Sequence, residues 1–408
     1  MSWTIARLGH RGDGLAEGPI YAPRTLPGEV VTGALDGDRL QEIRVLTPSD
    51  HRVSAPCRHY RGCGGCALQH ADDGFVADWK QGVVAAALAA QGLDAPFKPI
   101  AVSPPGSRRR ATFSGRRTKK GALVGFHGAQ SAAILPVPDC LLVTPALQAA
   151  LPMLEALTCI GGSRKGEVSF AVTETRTGLD IAVTGGKPVD AALGEALTSA
   201  IRGYGVARLS WDGELVAQED PPVIAFDGLD VPLPPGAFLQ ATLPGEAALR
   251  SAVEATIGAA NSVVDLFAGC GTFALPLSRR RSVLAVEGDT AMLSALEAGW
   301  RAAGGLHALE TAKRDLFRNP LLADELDRFD AIVIDPPRAG AEAQMAQIAQ
   351  CHVPVVAAVS CNPVTFARDA KCLTQAGYRL EWVQVVDQFR WSPHVELAAC
   401  LTRSHIAT

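Results

Sequence analysis

The sequence predicts an α/β protein in three parts: a small β-barrel over 1–52, an α+β middle domain over 53–238, and a Rossmann-like domain over 239–408. Three observations carry that prediction. Apolar, strand-like runs recur from residue 262 onward with helical patterns between them, as in a parallel sheet covered on both faces. The first of these runs, in SVVDLFAGCGTFALPLSRR, breaks into a glycine turn and then a helical pattern. A later one, Val355–Val359, stops abruptly at Ser360-Cys361-Asn362-Pro363, and a second helical pattern starts with proline in its first turn.

The first fifty residues are turn-rich (GHRGDGLAEG, LPGEVV) with short alternating segments between, which suits a five-strand barrel of the OB type. No aromatic ladder marks them as a stacking surface for single-stranded nucleic acid. The N-terminus MSWTIARLGH lacks a signal-peptide core and no apolar run is long enough to span a bilayer, so a cytoplasmic protein without membrane contact is expected. In that compartment the ten cysteines read as thiols or metal ligands rather than disulfides. A net charge of −4 excludes a protein that is basic all over, but leaves room for a local basic face. Nothing in the sequence requires a partner chain, and a monomer is expected.

Next comes CRHYRGCGGCALQH, in which Cys57, Cys63 and Cys66 form a C-x5-C-x2-C array among glycines. Three thiols this close point to a metal centre with a remote fourth ligand. Zinc sites more often show two close pairs, so a [4Fe–4S] cluster suits the spacing better. Cys140 and Cys159 are the candidates for the fourth position, Cys140 being preferred because it follows the turn-forming Pro138-Asp139. The segment 71–92 has helical periodicity and ends at Gly92. Between Arg108 and Lys120 lie seven basic residues and no acidic one, on two strand-like arms around a polar turn. This basic hairpin offers Arg109, Arg110, Arg116 and Arg117 to phosphates. From 150 to 235 helices (LQAALPMLEAL, VDAALGEALTSAIRGYG) alternate with strands and no catalytic motif appears.

The C-terminal domain carries most of the chemistry. The strand Ser262–Ala268 leads into Gly269 and Gly271, and the next strand ends at Glu287, eighteen residues beyond Gly269. That is dinucleotide-like βαβ geometry, with an acidic residue for ribose hydroxyls. The turn lacks the third glycine of a pyrophosphate cradle, so it fits S-adenosylmethionine (SAM), which has a ribose and no phosphate. Further strands end near Asp315, at Asp335 in DPPRAG, and at Cys361, and the last two strands are expected to be antiparallel. About seven strands result, as in a class I SAM-dependent methyltransferase.

Together the stretches CRHYRGCGGCALQH with Cys140, DLFAGCGTF, DPPRAG, SCNP and HVE resemble the RumA/TrmA family of RNA uridine-C5 methyltransferases over nearly the whole chain. The first fifty residues likewise resemble the TRAM barrel that leads some members. The resemblance implies an iron–sulfur enzyme of the type acting on 23S ribosomal RNA, with tRNA methylation or a catalytically inactive RNA-binding protein as the alternatives. It implies that Cys361 adds to C6 of the uracil and that Glu396 removes the C5 proton, with His394 as the rival base on pKa grounds. Carried over by position, the SAM site is Gln240, Phe267, Glu287, Asp315 and Asp335, shaped by Gly269 and Gly271. Asp315 reads almost as well as a helix cap. Arg338 is expected to orient the uridine or its phosphate. Arg368 and Asp369 read as helix-surface residues. The chain departs from the family pattern at Arg390-Trp391, where a proline usually follows the Phe of DQF, and at Thr242, where Asn is common.

Overall fold

The computed structural model describes residues 1–403. The chain begins with β1 (Ser2–Leu8), β2 (Gly14–Ala16), β3 (Ile20–Ala22), β4 (Val30–Asp36) and β5 (Arg39–Thr47), closed into a barrel in the order β1-β2-β3-β5-β4. Ile5, Ala16, Ala22, Val31 and Leu40 fill it, and closure leaves no unpaired edge. At its base the carboxylate of Glu29, fully buried, accepts from the Arg52 guanidinium and from the N–H groups of Leu26 and Ser49. Burial pushes Glu29 upward, but these donors outweigh it and hold the carboxyl below its usual range.

After the cysteine loop come α1 (Asp73–Ala89), capped by the Asp72 side chain on the Phe75 N–H, and β6 (Phe97–Val102). The middle sheet follows: β7 (Arg110–Arg117), β8 (Ala122–His127), β9 (Ile134–Leu135), α2 (Pro145–Ala149), α3 (Leu151–Gly161), β10 (Val168–Thr175), β11 (Gly178–Thr184), α4 (Ala191–Ala200), β12 (Val206–Trp211) and β13 (Glu214–Gln218). Its strand order is β13-β12-β11-β10-β7-β8-β9, with Phe113, Met153, Phe170 and Trp211 in the core beneath the helices. The single helix expected over LQAALPMLEAL is two, α2 and α3, because Pro152 lacks an N–H and fits only in a first turn. The basic stretch does form a hairpin, β7 pairing with β8.

A ribbon, β14 (Val223–Phe226) and β15 (Leu229–Pro232), leads into the last unit. That unit comprises α5 (Leu243–Ile257), β16 (Ser262–Leu266), α6 (Ala274–Leu277), β17 (Ser282–Glu287), α7 (Thr290–Ala303), β18 (Leu309–Lys313), α8 (Ala323–Leu326), β19 (Ala331–Ile334), α9 (Glu342–Gln350), β20 (Val355–Ser360), α10 (Pro363–Gln375), β21 (Arg379–Asp387) and β22 (Glu396–Thr402). The order in its sheet is β18-β17-β16-β19-β20-β22-β21-β6. The strands β16 to β20 pair in parallel; β16, β17, β19 and β20 are buried on both faces and nearly continuously apolar, whereas the edge strand β18 is polar and only partly buried. β22 runs antiparallel to both its neighbours, as expected of the last pair.

The sheet has eight strands rather than about seven. The additional strand is β6, which pairs with β21 across the whole intervening chain, and Val84 and Leu88 of α1 lie in the core beside α9 and α10. A boundary at 238 therefore misplaces α1 and β6: they belong to the C-terminal sheet, and the middle sheet is inserted after them. Successive crossovers leave β16 to opposite sides, toward β17 and, later, β19, and the crevice between those strand ends is where an open α/β sheet binds its ligand.

Candidate active site

Three parallel strands, β16, β19 and β20, deliver their carboxyl ends to one crevice, and β22 running the other way brings its first residue to the same edge. After β16 the chain turns sharply: Phe267 takes φ +63, Gly269 φ +56 and Gly271 φ +98. A Cβ on Gly271 would stand 2.3 Å from the Leu296 side chain, so only glycine lets the turn pack against α7. The Gly269 N–H donates to Glu287 Oε2 at 3.0 Å, while Oε1 accepts from Gly288 and Asp289. The glycine turn and the acidic end of β17 are thus joined, with the Phe267 ring tilted against Phe317 at 5.4 Å. Asp315 sits on the exposed side of this wall, accepting from the Phe317 N–H.

Sequence reading did not single out Asp265. Fully buried, it accepts the Ala274 N–H on Oδ2 at 2.8 Å, while Oδ1 has no partner. Burial, and then the charges of Asp335 and Glu287, raise its pKa far above the usual carboxylate range despite the Ala274 bond.

Cys361 follows β20 directly, and Asn362 caps α10 by accepting from the Val364 N–H. The Asn362 side chain also donates to the Arg338 carbonyl at 2.9 Å, fastening the Asp335–Gly340 loop to the cysteine. Asp369 is buried, not a surface residue: it accepts the Ala341 N–H and pairs with Arg368 beneath Gly340, so both residues brace that same loop. A thiol at a helix N-terminus is expected to ionise easily, yet here the balance runs the other way. Burial, then Glu396 and Asp335, push Cys361 up to about 11, with the Arg338 guanidinium opposing. At that value the thiol carries its proton at neutral pH.

Glu396 opens β22 and is buried. Burial and the neighbouring Asp335 raise its pKa; Gln388, which donates to Oε2 at 3.0 Å, and Arg338 act in the opposite direction. Asp335 is raised too, by loss of water around its carboxylate. His394 precedes the strand instead of lying on it, so the alternation that would align it with Glu396 does not apply; its ring meets Phe389 edge-on at 5.9 Å. Gln240 donates to Asp335 at 3.3 Å and accepts from Gln388 at 2.6 Å.

The hairpin arginines divide. Arg109 is not a substrate contact: it is buried, paired with Glu246 at 2.5 Å, and donates to the Gln240 carbonyl, so it braces the site from behind. Arg109 precedes β7, and the Glu246 carboxylate and the Gln240 carbonyl hold it inward. Arg110 lies over the exposed Phe238 ring at 4.3 Å with its Nε unpartnered. Arg116 is tied to Glu167 at 3.1 Å near the hairpin tip, with Arg117 beside it. Arg108, left out of the expected contacts, stands over the Phe389 ring at 5.9 Å.

Cys57, Cys63, Cys66 and Cys140 line one small enclosed cavity, with Tyr60 and Phe126 against it; Cys159, on α3, is not among its walls. Among the described residues no three His, Cys, Asp or Glu side chains close to the distances of a single bound ion. The thiols nevertheless sense one another. Burial pushes Cys66 up to about 12, with Cys140, Cys63 and Cys57 adding to it against the Gln69 side chain, and burial likewise raises Cys63. The next two backbone donors, Ala67 and Leu68, both bond to the Trp391 carbonyl at 2.8 and 3.0 Å, where Trp391 takes φ +57. The cysteine loop therefore holds the segment that leads to Glu396. Among the described residues no helix is long and apolar enough to cross a membrane.

The model of the tRNA (uracil-5-)-methyltransferase family matches residues 236–404. An uncharacterized RNA methyltransferase of Rhizobium meliloti is 44% identical over 98% of this chain and 99% of its own length. The 23S rRNA (uracil(1939)-C(5))-methyltransferase RlmD of Vibrio cholerae is 32% identical over 98% of this chain and 95% of its own. Among solved structures, the Pyrococcus abyssi tRNA (uracil-54, C5)-methyltransferase in complex with S-adenosyl-L-homocysteine superposes with a TM-score of 0.78 at 22% identity, covering 98% and 99% of the two chains. That likeness extends the shared fold through the barrel and the middle sheet.

Proposed function

Because the chain belongs to the RNA (uracil-5-)-methyltransferase family, we propose that it methylates C5 of a uridine in 23S ribosomal RNA through a covalent Cys361 adduct. As an RNA uracil-C5 methyltransferase it uses SAM, which supplies the electrophilic methyl group. The observation that carries the detailed reading is the meeting of Cys361, Asp335, Arg338 and Glu396 at one strand-end crevice beside the glycine turn.

The chemistry needs such a set. C5 of uracil is too poor a nucleophile to take a methyl group unaided. Adding Cys361 Sγ to C6 breaks the C5–C6 double bond and makes C5 enolate-like, so that it can be alkylated. Arg338 is the cation beside the thiol, and it favours loss of the thiol proton to water as the S–C6 bond forms. Once C5 carries both methyl and hydrogen, Glu396 takes the hydrogen as a proton, the double bond reforms and Sγ leaves. A raised pKa suits a carboxylate to that task, since a stronger base pulls harder on a carbon acid. Gly269, Gly271 and Glu287 fit a ribose without a pyrophosphate. Asp265, with one orphan oxygen, and Gln240 stand on the same wall. Extruding the uridine costs a few kcal/mol of stacking, and Arg108, Arg110, Phe238 and Phe389 form the aromatic and cationic rim that offsets it.

Cys57, Cys63, Cys66 and Cys140 would hold a [4Fe–4S] cluster. What supports this reading is that all four thiols line one small cavity, three from the C-x5-C-x2-C array and one from a distant turn. The methylation is redox-neutral, so a cluster held there would act structurally, stiffening the loop that carries Ala67 and Leu68. The remaining expectations, a TRAM-type role for the barrel in binding RNA and action as a monomer, belong to the same reading.

Labelled SAM and total RNA from a strain lacking this gene test the proposal. 5-Methyluridine in 23S rRNA supports it. Product in tRNA alone retains the mechanism and overturns the substrate, and no product in any RNA overturns the activity.

A further inference from the structure

We propose that Gln388 is the positioning residue for proton removal, orienting Glu396 and tying it to the cofactor side of the site through Gln240. This rests on the adduct mechanism above. Gln388 lies between β21 and β22, and its side chain is buried. Its Oε1 accepts the Ala241 backbone N–H at 2.7 Å. A backbone amide can only donate, so the Gln388 side chain cannot be turned over, and its NH2 group must face the other way. There it donates to Glu396 Oε2 at 3.0 Å and to Gln240 Oε1 at 2.6 Å. That second bond fixes Gln240 in turn, aiming its own NH2 at Asp335 Oδ2, 3.3 Å away. One donor-to-acceptor order therefore runs from a main-chain amide through two glutamines to both carboxylates.

The seat is shaped for this side chain. A Cβ on Gly245 would lie 2.7 Å from the Gln388 Cβ, so glycine at the start of α5 makes the space. On one flank Asp387 is held by Lys80, which also donates to the Phe389 carbonyl on the other. Gln388 occupies one oxygen of Glu396 and leaves the second for the substrate. The groups facing Glu396 are Asp335 after β19, Arg338 in the following loop, Cys361 after β20, and Gln388 itself. Of these, Asp335 and Cys361 disfavour its charge. Gln388 and Arg338 favour it, and only Gln388 also fixes its geometry.

The test uses the full chain with Gln388→Met and Gln388→Glu, both checked for SAM binding by calorimetry. Methionine keeps the volume and removes both donors, whereas glutamate keeps an acceptor for Ala241 and replaces the NH2 with oxygen. Losing a hydrogen bond to a charged group shifts its ionisation by about one pH unit or more. Both variants should move the acid limb of kcat upward by about that amount, lower kcat about tenfold at pH 7, and leave KM for RNA within a few-fold. Methylated protein–RNA adduct should accumulate on denaturing gels, as in Glu396→Gln. An unmoved acid limb with no accumulated adduct in a SAM-binding variant overturns the proposal. A Cys361→Ala control separates the two readings: turnover by that variant would overturn the adduct mechanism itself, whatever Gln388 does.

Discussion

Lys80→Met places a quantitative demand on the structure. Lys80 is a fully buried helix residue whose ammonium sits 2.5 Å from Asp387, itself buried, and 3.1 Å from the Phe389 carbonyl. Removing the ammonium leaves the Asp387 carboxylate with only the Phe389 N–H at 3.0 Å, and strands a buried carbonyl. Breaking one side of a buried pair costs about 3–5 kcal/mol, because the remaining charge keeps its desolvation penalty and loses its partner. For a chain of 408 residues unfolding as one unit, that lowers Tm by about 4–6 °C. If the C-terminal unit unfolds separately, the drop is larger. Replacing both partners, as Lys80→Met with Asp387→Leu, should recover most of the loss, since two well-packed apolar groups carry no desolvation cost. Urea denaturation and calorimetry of the wild type, both single variants and the double variant give the coupling directly. A single-variant loss below about 1 kcal/mol would refute a dry, charged pair at this position.

Three other outcomes follow from particular contacts. Asp265 has a folded pKa far above its unfolded value, so its contribution is fully present below about pH 4 and is lost as pH rises toward the folded pKa. Asp265→Asn should therefore gain stability relative to wild type between pH 5 and pH 8, read from urea midpoints at both; an equal difference at the two pH values would remove the buried neutral acid. Gly271→Ala meets Leu296 at 2.3 Å on backbone with φ +98, so SAM affinity by calorimetry should fall at least about tenfold while the barrel and middle sheet stay folded. On the proposed cluster reading, Cys63→Ser should lose iron and its visible absorption, and speed amide hydrogen exchange over residues 388–395, because Ala67 and Leu68 hold the Trp391 carbonyl. Unchanged exchange there would uncouple the cysteine loop from the base.

Much of the site was legible because its chemistry is local. A strand that stops at Cys361 before a proline-started helix, a glycine turn after β16, and an acid at the end of β17 are each written in a dozen consecutive residues. Their positions follow from strand ends alone, since parallel strands put every carboxyl end on one edge. The four cysteines could be grouped by type, although Cys140 lies far along the chain from the other three. The hairpin was visible as a charge pattern, but which of its arginines face solvent was not. Arg109 turns inward because Glu246, on α5, waits for it.

Residue order thus determined the fold class, the nucleotide-shaped turn and the candidate nucleophile and base, since each depends on periodicity or on residue chemistry within one element. The tertiary structure alone decided that α1 and β6 complete the C-terminal sheet, that Asp369 is buried beneath the Asp335 loop, and that Cys361 starts out protonated. It also decided that the Gln388 side chain donates to Glu396. No pattern marks a glutamine whose three partners come from residues 240, 241 and 396. Ionisation and hydrogen-bond polarity are set by what surrounds a group in space, and folding brings those neighbours from separate elements, in the case of Gln388 and residues 240 and 241 from 148 and 147 positions away.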